Sequence, residues 1–132
     1  MDRAIRKSLS VNAGDLLMIV DVQNDFLPGG ALGVKDGDQV IEPLNRVIHL
    51  FLKKNLSVFY SRDWHPADHC SFRQSGGPWP PHCVQDTKGA AFAAAMTMPE
   101  NPAILSKGTQ ADREEYSAFH AADNTGSQLH QT

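Results

Sequence analysis

Blocks of apolar and polar positions along the chain predict a strand, a helix and a second strand. Leu16–Val20 is a continuous apolar run, which is typical of a strand buried on both faces of a parallel sheet. Apolar residues then recur at three- and four-residue spacing over 40–51, the period of an amphipathic helix, with Asp36 or Asp38 as the expected N-cap. Residues 56–60 form a second apolar run, so the pattern predicts a βαβ unit with parallel strands.

The next part of the chain changes character. Residues 62–89 are rich in Pro, Gly, His and Trp and predict a long loop, which in a compact domain is usually functional. The Gly- and Ala-rich stretch 89–96 suggests a helix that Pro99 ends. Residues 103–105 predict a short third strand, and 124–130 has the composition of a capped helix start.

These elements predict the α/β class, with a parallel sheet of Rossmann-like type that is flanked by helices. Residues 1–14 show no period and are expected to be an N-terminal tail, which leaves one domain over 15–132. With only three strands, the sheet is expected to be incomplete, the first three strands of a larger one.

Composition and charge narrow the partners. The chain has 132 residues, of which 41% are hydrophobic and 20% charged, and its formal net charge is −3. This balance is that of an ordinary globular domain and predicts no nucleic-acid partner and no membrane partner. No signal-peptide pattern is present. Two cysteines, Cys70 and Cys83, each adjoin a histidine, which favours reduced thiols and a cytoplasmic location.

Each predicted strand is followed closely by side chains that can do chemistry. Asp21 follows the first strand, Asp63 and His65 follow the second, and Lys107 follows the third. Ligands of open parallel sheets bind beyond the carboxyl ends of the strands. Any one of these residues alone would more often be a surface charge, but three such placements together predict a site.

The long loop also carries a set of metal-binding side chains. Asp63, His65, His69 and His82 lie within 20 residues of one another. A single histidine in a loop would more often be structural or solvated. One carboxylate with several imidazoles instead favours one divalent metal ion, with Zn, Fe or Mn all compatible with the donor types.

Four ordered motifs resemble those of the nicotinamidases of the isochorismatase-like hydrolase family. Asp21-Val22-Gln23-Asn24-Asp25-Phe26 is similar to the family's opening motif. The later ones are Ser61-Arg62-Asp63-Trp64-His65-Pro66, Trp79-Pro80-Pro81-His82-Cys83-Val84 and Ser106-Lys107-Gly108. The order and number of these matches make the resemblance specific. It implies an isochorismatase-like sheet and hydrolysis of nicotinamide to nicotinate and ammonia, as in NAD salvage.

The resemblance also implies roles for individual residues. Asp21 and Lys107 match two members of a catalytic triad whose third member is a cysteine. In that mechanism the thiolate attacks the carboxamide, the aspartate passes the proton to departing ammonia, and water cleaves the thioester. The lysine charge orients the aspartate and favours thiolate over thiol.

Metal and substrate contacts follow from the same resemblance. Asp63, His65 and His82 match the metal ligands, and His69 matches a fourth ligand that only some relatives use. The metal of the family holds the pyridine nitrogen of nicotinamide or a similar small carboxamide. Phe26 and Trp79 match aromatic positions that flank the ring; ordinary core packing is the alternative for Phe26.

The family's nucleophilic cysteine is expected after a fourth strand, and no such motif occurs in this sequence. Cys70 and Cys83 belong to the metal loop and are not expected to replace it. We therefore expect a truncated chain, either a homo-oligomer or complemented by its missing half, because the first strand would be an exposed sheet edge. Two alternatives are a catalytically dead metal- and pyridine-binding fragment and a related amidase for another small amide.

Overall fold

A computed structural model describes residues 10–123, in which three parallel strands form one sheet in the order β1-β2-β3. The strands are β1 (Leu16–Val20), β2 (Ser57–Asp63) and β3 (Ala103–Lys107). Both strand pairs are parallel, which confirms the α/β class and the three-stranded parallel sheet. The predicted helix start at 124–130 lies outside the described residues, as do residues 1–9 of the predicted tail.

The helix that connects β1 to β2 is α1 (Ile41–Lys53), and a 3-10 turn over Gly37–Val40 leads into it. The N-cap prediction is wrong, because neither Asp36 nor Asp38 caps the helix with its side chain. Instead, the amide of Ile41 bonds to the carbonyl of Asp38. The 3-10 turn therefore satisfies a helical amide that a capping side chain would otherwise bind.

Strands β2 and β3 extend further than the apolar pattern indicated, by three and two residues respectively. Their last residues, Asp63 and Lys107, are register partners. Polar side chains continue these strands because they bind one another at the end of the sheet, so hydrophobicity no longer marks the strand there. Both residues are consequently held by the backbone ladder itself and do not belong to a loop.

The stretch 89–96 contains no helix, which corrects the sequence-based expectation. Its backbone pairs with the segment after β1: the amide of Asn24 donates to the Ala91 carbonyl, and the amide of Ala93 donates to the Val22 carbonyl. Gln23 and Phe92 form an antiparallel bridge. Backbone groups used across the chain in this way are unavailable for helical bonds.

The hydrophobic core lies on the face of the sheet that α1 covers. Ile48 and Phe51 of α1 pack there with Ile19, Val58 and Tyr60 of the strands. On the opposite face, a groove of about 980 Å³ is lined by alternate residues of β1 and by the segment 116–119. Within residues 10–123, no helix is long and apolar enough to cross a membrane.

Candidate active site and metal centre

The carboxyl ends of the three strands bring the predicted site residues together. Asp21 directly follows β1, and Asp63 and Lys107 are the last residues of β2 and β3. His65 and His82 come from the loop that follows β2, and an isolated parallel bridge between His65 and Val84 joins the two parts of that loop.

Lys107 connects two carboxylates in the interior. Its side chain is 4% exposed, its Nζ lies 2.8 Å from Asp21 Oδ2, and Nζ also donates to Asp63 Oδ1. Burial alone would lower the pKa of Lys107, but the negative charges of Asp63 and Asp21 outweigh it and raise that pKa above its ordinary value. The ammonium therefore stays charged and holds both carboxylates in place.

Asp21 is fixed by the strand next to it. Its backbone has a positive φ of 54°, which is uncommon for a residue other than glycine. The hydroxyl of Ser61 donates to Asp21 Oδ1 at 2.8 Å, and the amide of Asp21 donates to the Ser61 carbonyl at 3.1 Å. The side chain remains 18% exposed. This carboxylate is thus anchored through both oxygens yet reachable, as a proton-transfer group must be.

Asp63, His65 and His82 form a compact cluster of metal-binding atoms. Asp63 Oδ2 lies 3.5 Å from His65 Nε2 and 3.8 Å from His82 Nε2. One ligand atom from each residue lies within 4.8 Å of the others. A carboxylate with two imidazoles is a donor set suited to Zn²⁺, Fe²⁺ or Mn²⁺.

Backbone carbonyls orient both imidazoles of this cluster. His65 Nδ1 lies 2.8 Å from the Gly108 carbonyl, and His82 Nδ1 lies 2.8 Å from the Pro80 carbonyl. A carbonyl only accepts, so each Nδ1 donates to it, which leaves Nε2, the nitrogen that faces Asp63, as the atom that can bind a metal. Metal-binding histidines characteristically have this arrangement. The residues present therefore fit a divalent metal.

The pKa values of Asp63 and His65 are shifted by burial and by their mutual contact. For Asp63, burial would raise the pKa, but the hydrogen bond with His65 and the charge of Lys107 lower it below its usual value. For His65, burial would lower the pKa, but the contact with Asp63 raises it above its usual value. Carboxylate and imidazolium thus stabilise each other when no metal separates them.

The structure leaves His69 outside the three-residue cluster. Its ring stacks on that of His65, with centroids 4.1 Å apart. His69 Nε2 donates to the Arg113 carbonyl at 2.9 Å, and Nδ1 accepts from the Ser71 hydroxyl at 2.7 Å. Both ring nitrogens of His69 are therefore bound by protein groups. These bonds fix the His69 ring, which in turn packs against the ring of His65.

The two aromatic residues predicted to flank the substrate differ in their surroundings. The ring of Phe26 lies beside that of His82, with centroids 5.9 Å apart. Trp79 is 39% exposed, and its backbone pairs with Ser71 and Arg73. Phe26 therefore adjoins the metal cluster directly, whereas Trp79 lies on the same loop as His82 with much of its indole accessible.

Cys83 does not have the surroundings of an activated nucleophile. Cys83 is fully buried, and burial together with the charges of Asp63 and Asp25 raises the pKa of its thiol well above the usual value. A thiol held in its protonated form is a weak nucleophile. The backbone of Cys83 instead orders the loop, since its amide donates to Asp25 Oδ2 and its carbonyl accepts from the His65 amide. Cys70 is partly exposed and free.

Sequence reasoning assigned no role to Gln23, Ser61 or Gly108, although all three contact the site. Ser61 donates to Asp21, Gly108 accepts from His65, and Gln23 bonds to the backbone of Asp63. All three belong to motifs that carry the family resemblance. Their presence in those motifs could have indicated that they lie at the site. The contacts that they make could not be predicted, because these contacts depend on the strand register.

Comparison with known protein families gives a match to the isochorismatase domain over residues 15–131. The nicotinamidase of Escherichia coli strain K12 is 36% identical over 118 residues, covering 78% of this chain and 55% of that protein. The chain thus spans about half the length of this relative.

Solved structures agree with this match. Pyrococcus horikoshii pyrazinamidase in complex with zinc has a TM-score of 0.73 and 50% identity, covering 76% of this chain and 55% of that chain. PnC1 from L. infantum in complex with nicotinate has a TM-score of 0.69 and 38% identity, covering 86% of this chain and 56% of that one.

Proposed function

Because this chain belongs to the isochorismatase domain family, we propose that it supplies the metal-binding and proton-transfer residues of a nicotinamidase-type amide hydrolase. One observation carries the proposal: buried Lys107 contacts Asp21 on one side and Asp63 on the other, while Asp63 faces His65 and His82. Such a buried network of charges is costly unless each charge is paired, and it is typical of active sites.

In this proposal Asp21 accepts the proton of an attacking thiol and delivers it to the departing ammonia. Lys107 holds the Asp21 carboxylate and favours negative charge on the nucleophile. Cys83 is buried and its thiol pKa is raised, so it is not suited to the attack, and the proposal assigns no nucleophile among these 132 residues.

We propose that Asp63, His65 and His82 hold one divalent metal. When bound, it supplies a Lewis-acidic contact for the ring nitrogen of a pyridine carboxamide such as nicotinamide. The zinc of the Pyrococcus horikoshii protein and the nicotinate of the L. infantum protein support this choice of metal site and ligand class. Phe26 and Trp79 are proposed to contact the ring, with Phe26 already beside His82.

The proposal is tested on the purified chain loaded with Zn²⁺, by measuring nicotinamide binding and ammonia release. Binding that requires the metal and is lost in Asp63→Ala would support the site. Because no nucleophile is assigned within this chain, the reaction is tested with an added small thiol, and ammonia release that is lost in Asp21→Ala would support the proton-transfer role of Asp21. A chain that binds no metal in the micromolar range would refute the proposed site.

A second candidate function is binding of the pyridine carboxamide without cleavage. The burial of Cys83 and the raised pKa of its thiol favour it for this chain. Nicotinamide binding without ammonia release, unchanged in a Cys70→Ser, Cys83→Ser double variant, would support this candidate. An amidase for other small amides would instead release ammonia from those substrates.

The cytoplasmic location stays a prediction that accords with two free thiols.

A further inference from the structure

Gln23 is a fully buried polar residue whose side chain binds backbone alone. Its Nε2 donates to the Asp63 carbonyl at 2.8 Å and to the Ala90 carbonyl at 2.9 Å, and its Oε1 accepts from the Asp63 amide at 2.9 Å. The carboxamide therefore binds the backbone of Asp63 through both its donor and its acceptor. The residues that it joins are 40 and 67 positions away from it in the sequence.

The ladder between β1 and β2 explains why Asp63 requires such a partner. The register ends at the pair Val20 and Ser61, and the amide of Asp21 makes the last backbone bond to the Ser61 carbonyl. In a parallel ladder, alternate residues of a strand bond towards the same neighbour, so Asp63 is the next residue of β2 that faces β1. The chain has already turned away at Asp21, where φ is positive.

The carboxamide of Gln23 thus replaces one missing residue of β1. It satisfies a buried amide and a buried carbonyl that would otherwise lack partners, and such groups are costly to leave unpaired. The opposite side of β2 needs no such help, because the Trp64 amide donates to the Lys107 carbonyl in the ordinary ladder. Among the described residues, Gln23 alone therefore fixes the Asp63 backbone from the β1 side.

We propose that Gln23 is a positioning residue that sets Asp63 in the geometry needed for metal binding. The backbone of Asp63 determines where its two carboxylate oxygens lie, one against Lys107 and the other between the Nε2 atoms of His65 and His82. Without Gln23 the end of β2 is held only on its β3 side, so the Asp63 carboxylate can shift relative to the Nε2 atoms of the two histidines. This inference rests on the proposed metal site and goes beyond it.

The test compares Gln23→Met with a matched control, Asn45→Leu. Asn45 also binds a loop through both ends of its carboxamide, donating to the Ala95 carbonyl and accepting from the Thr97 amide, but it lies on α1. Zn²⁺ affinity is measured by competition with a chelator. We expect Gln23→Met to weaken binding by about 10- to 100-fold, the usual range for residues that support metal ligands. Asn45→Leu should stay within about threefold of the unsubstituted chain on the same argument.

A Gln23→Met chain that keeps the unsubstituted affinity would overturn the inference, and so would an equal loss in Asn45→Leu. If the unsubstituted chain binds no Zn²⁺, the proposed metal centre fails, and this inference fails with it. Amide exchange provides a second measurement should Gln23→Met not fold. In the unsubstituted chain, the Asp63 amide should be protected as strongly as the Trp64 amide, whereas exchange at the rate of a free amide would contradict the inference.

Discussion

Lys107 carries its charge between two carboxylates at a depth where water gives little screening. We expect Lys107→Met to destabilise the metal-free chain by about 3 kcal/mol at pH 7, because it leaves buried charge unpaired. Urea unfolding in the presence of a chelator measures this loss. Lys88→Met, at an exposed lysine, is the control and should change stability by less than about 0.5 kcal/mol; an equal effect in both variants would contradict the prediction.

The ion pair between Lys107 and Asp63 also makes the stability of the folded chain depend on pH. The pKa of Asp63 is lowered in the folded chain, so its contribution is present above the unfolded value of 3.8 and is lost as pH falls through the folded value. The pKa of Lys107 is raised, so its contribution is present below 10.5 and is lost as pH rises through the folded value. The difference between the unsubstituted chain and Lys107→Met should therefore narrow at both extremes in the same unfolding experiments.

Metal binding should release a proton from His65. Because the pKa of His65 is raised in the metal-free chain, the ring must lose a proton before Nε2 can bind a metal. Apparent Zn²⁺ affinity should fall about tenfold per pH unit below that raised pKa. Calorimetry in two buffers of different ionisation enthalpy measures the released proton. His49→Gln should leave it unchanged, and binding without proton release would show that His65 is not a ligand.

Individual site residues were predictable where sequence neighbours carried the signal. Asp63 ends β2, and His65 and His82 lie in the loop that follows it, so their proximity was predictable from their spacing and their donor types. His69 shares that loop, yet the folded chain turns its ring nitrogens to Ser71 and Arg113. Which histidines face Asp63 depends on the loop conformation and on the Arg113 carbonyl, which binds His69 from far along the chain. The spacing of the histidines in the sequence gives no information about either.

At the scale of elements, the residue that follows β3 must be a glycine, because the His65 ring lies against its backbone. Gly108 has a φ of +63°, and a Cβ there would overlap Cε1 of the His65 ring. We expect Gly108→Ala to displace this ring and to weaken Zn²⁺ binding by at least about tenfold. Gly76→Ala is a matched control, because Gly76 also has a positive φ but a Cβ added there would meet nothing within 4 Å. It should cost only about 1 kcal/mol of backbone strain and leave the affinity unchanged.

Helix α1 offers a test of the core. Ile48 is fully buried against the sheet, so Ile48→Ala should lower the free energy of unfolding by about 2–5 kcal/mol. Val47→Ala, at a neighbouring residue that is 37% exposed, is the control and should cost less than about 1 kcal/mol. Thermal and urea unfolding measure both changes. Equal losses would mean that α1 does not pack on the sheet through this face.

The elements themselves were predictable where the hydrophobic pattern is strong, as in the continuous apolar run of β1 and the helical periodicity of α1. Periodicity failed where the backbone found distant partners. The segment 89–96 pairs with residues after β1 and so forms no helix. Strands β2 and β3 continue through Asp63 and Lys107 because those polar side chains bind each other, and such pairing is visible only once the strand register is known.

At the scale of the whole molecule, the face of β1 turned away from α1 carries exposed apolar side chains. Leu16 and Val20 are 52% and 61% exposed, and among residues 10–123 β1 is an edge strand of the sheet. Such apolar edges pair with other chains. We expect self-association in sedimentation velocity, reduced in Val20→Lys. Val34→Lys, at a similarly exposed valine outside the sheet, should not reduce it. A sharp thermal transition of a monomer would contradict this prediction.

The double contact of Lys107 affects how diverging homologues are interpreted. Under the proposed function, a descendant that abandoned amide cleavage but still bound a metal would need this lysine for Asp63, whereas the carboxylate of Asp21 would no longer be needed for proton transfer. Retention of the lysine in such a lineage therefore carries little information about chemistry. A homologue in which Asp21 is replaced while Lys107 is unchanged would be expected to bind the ligand without cleaving it.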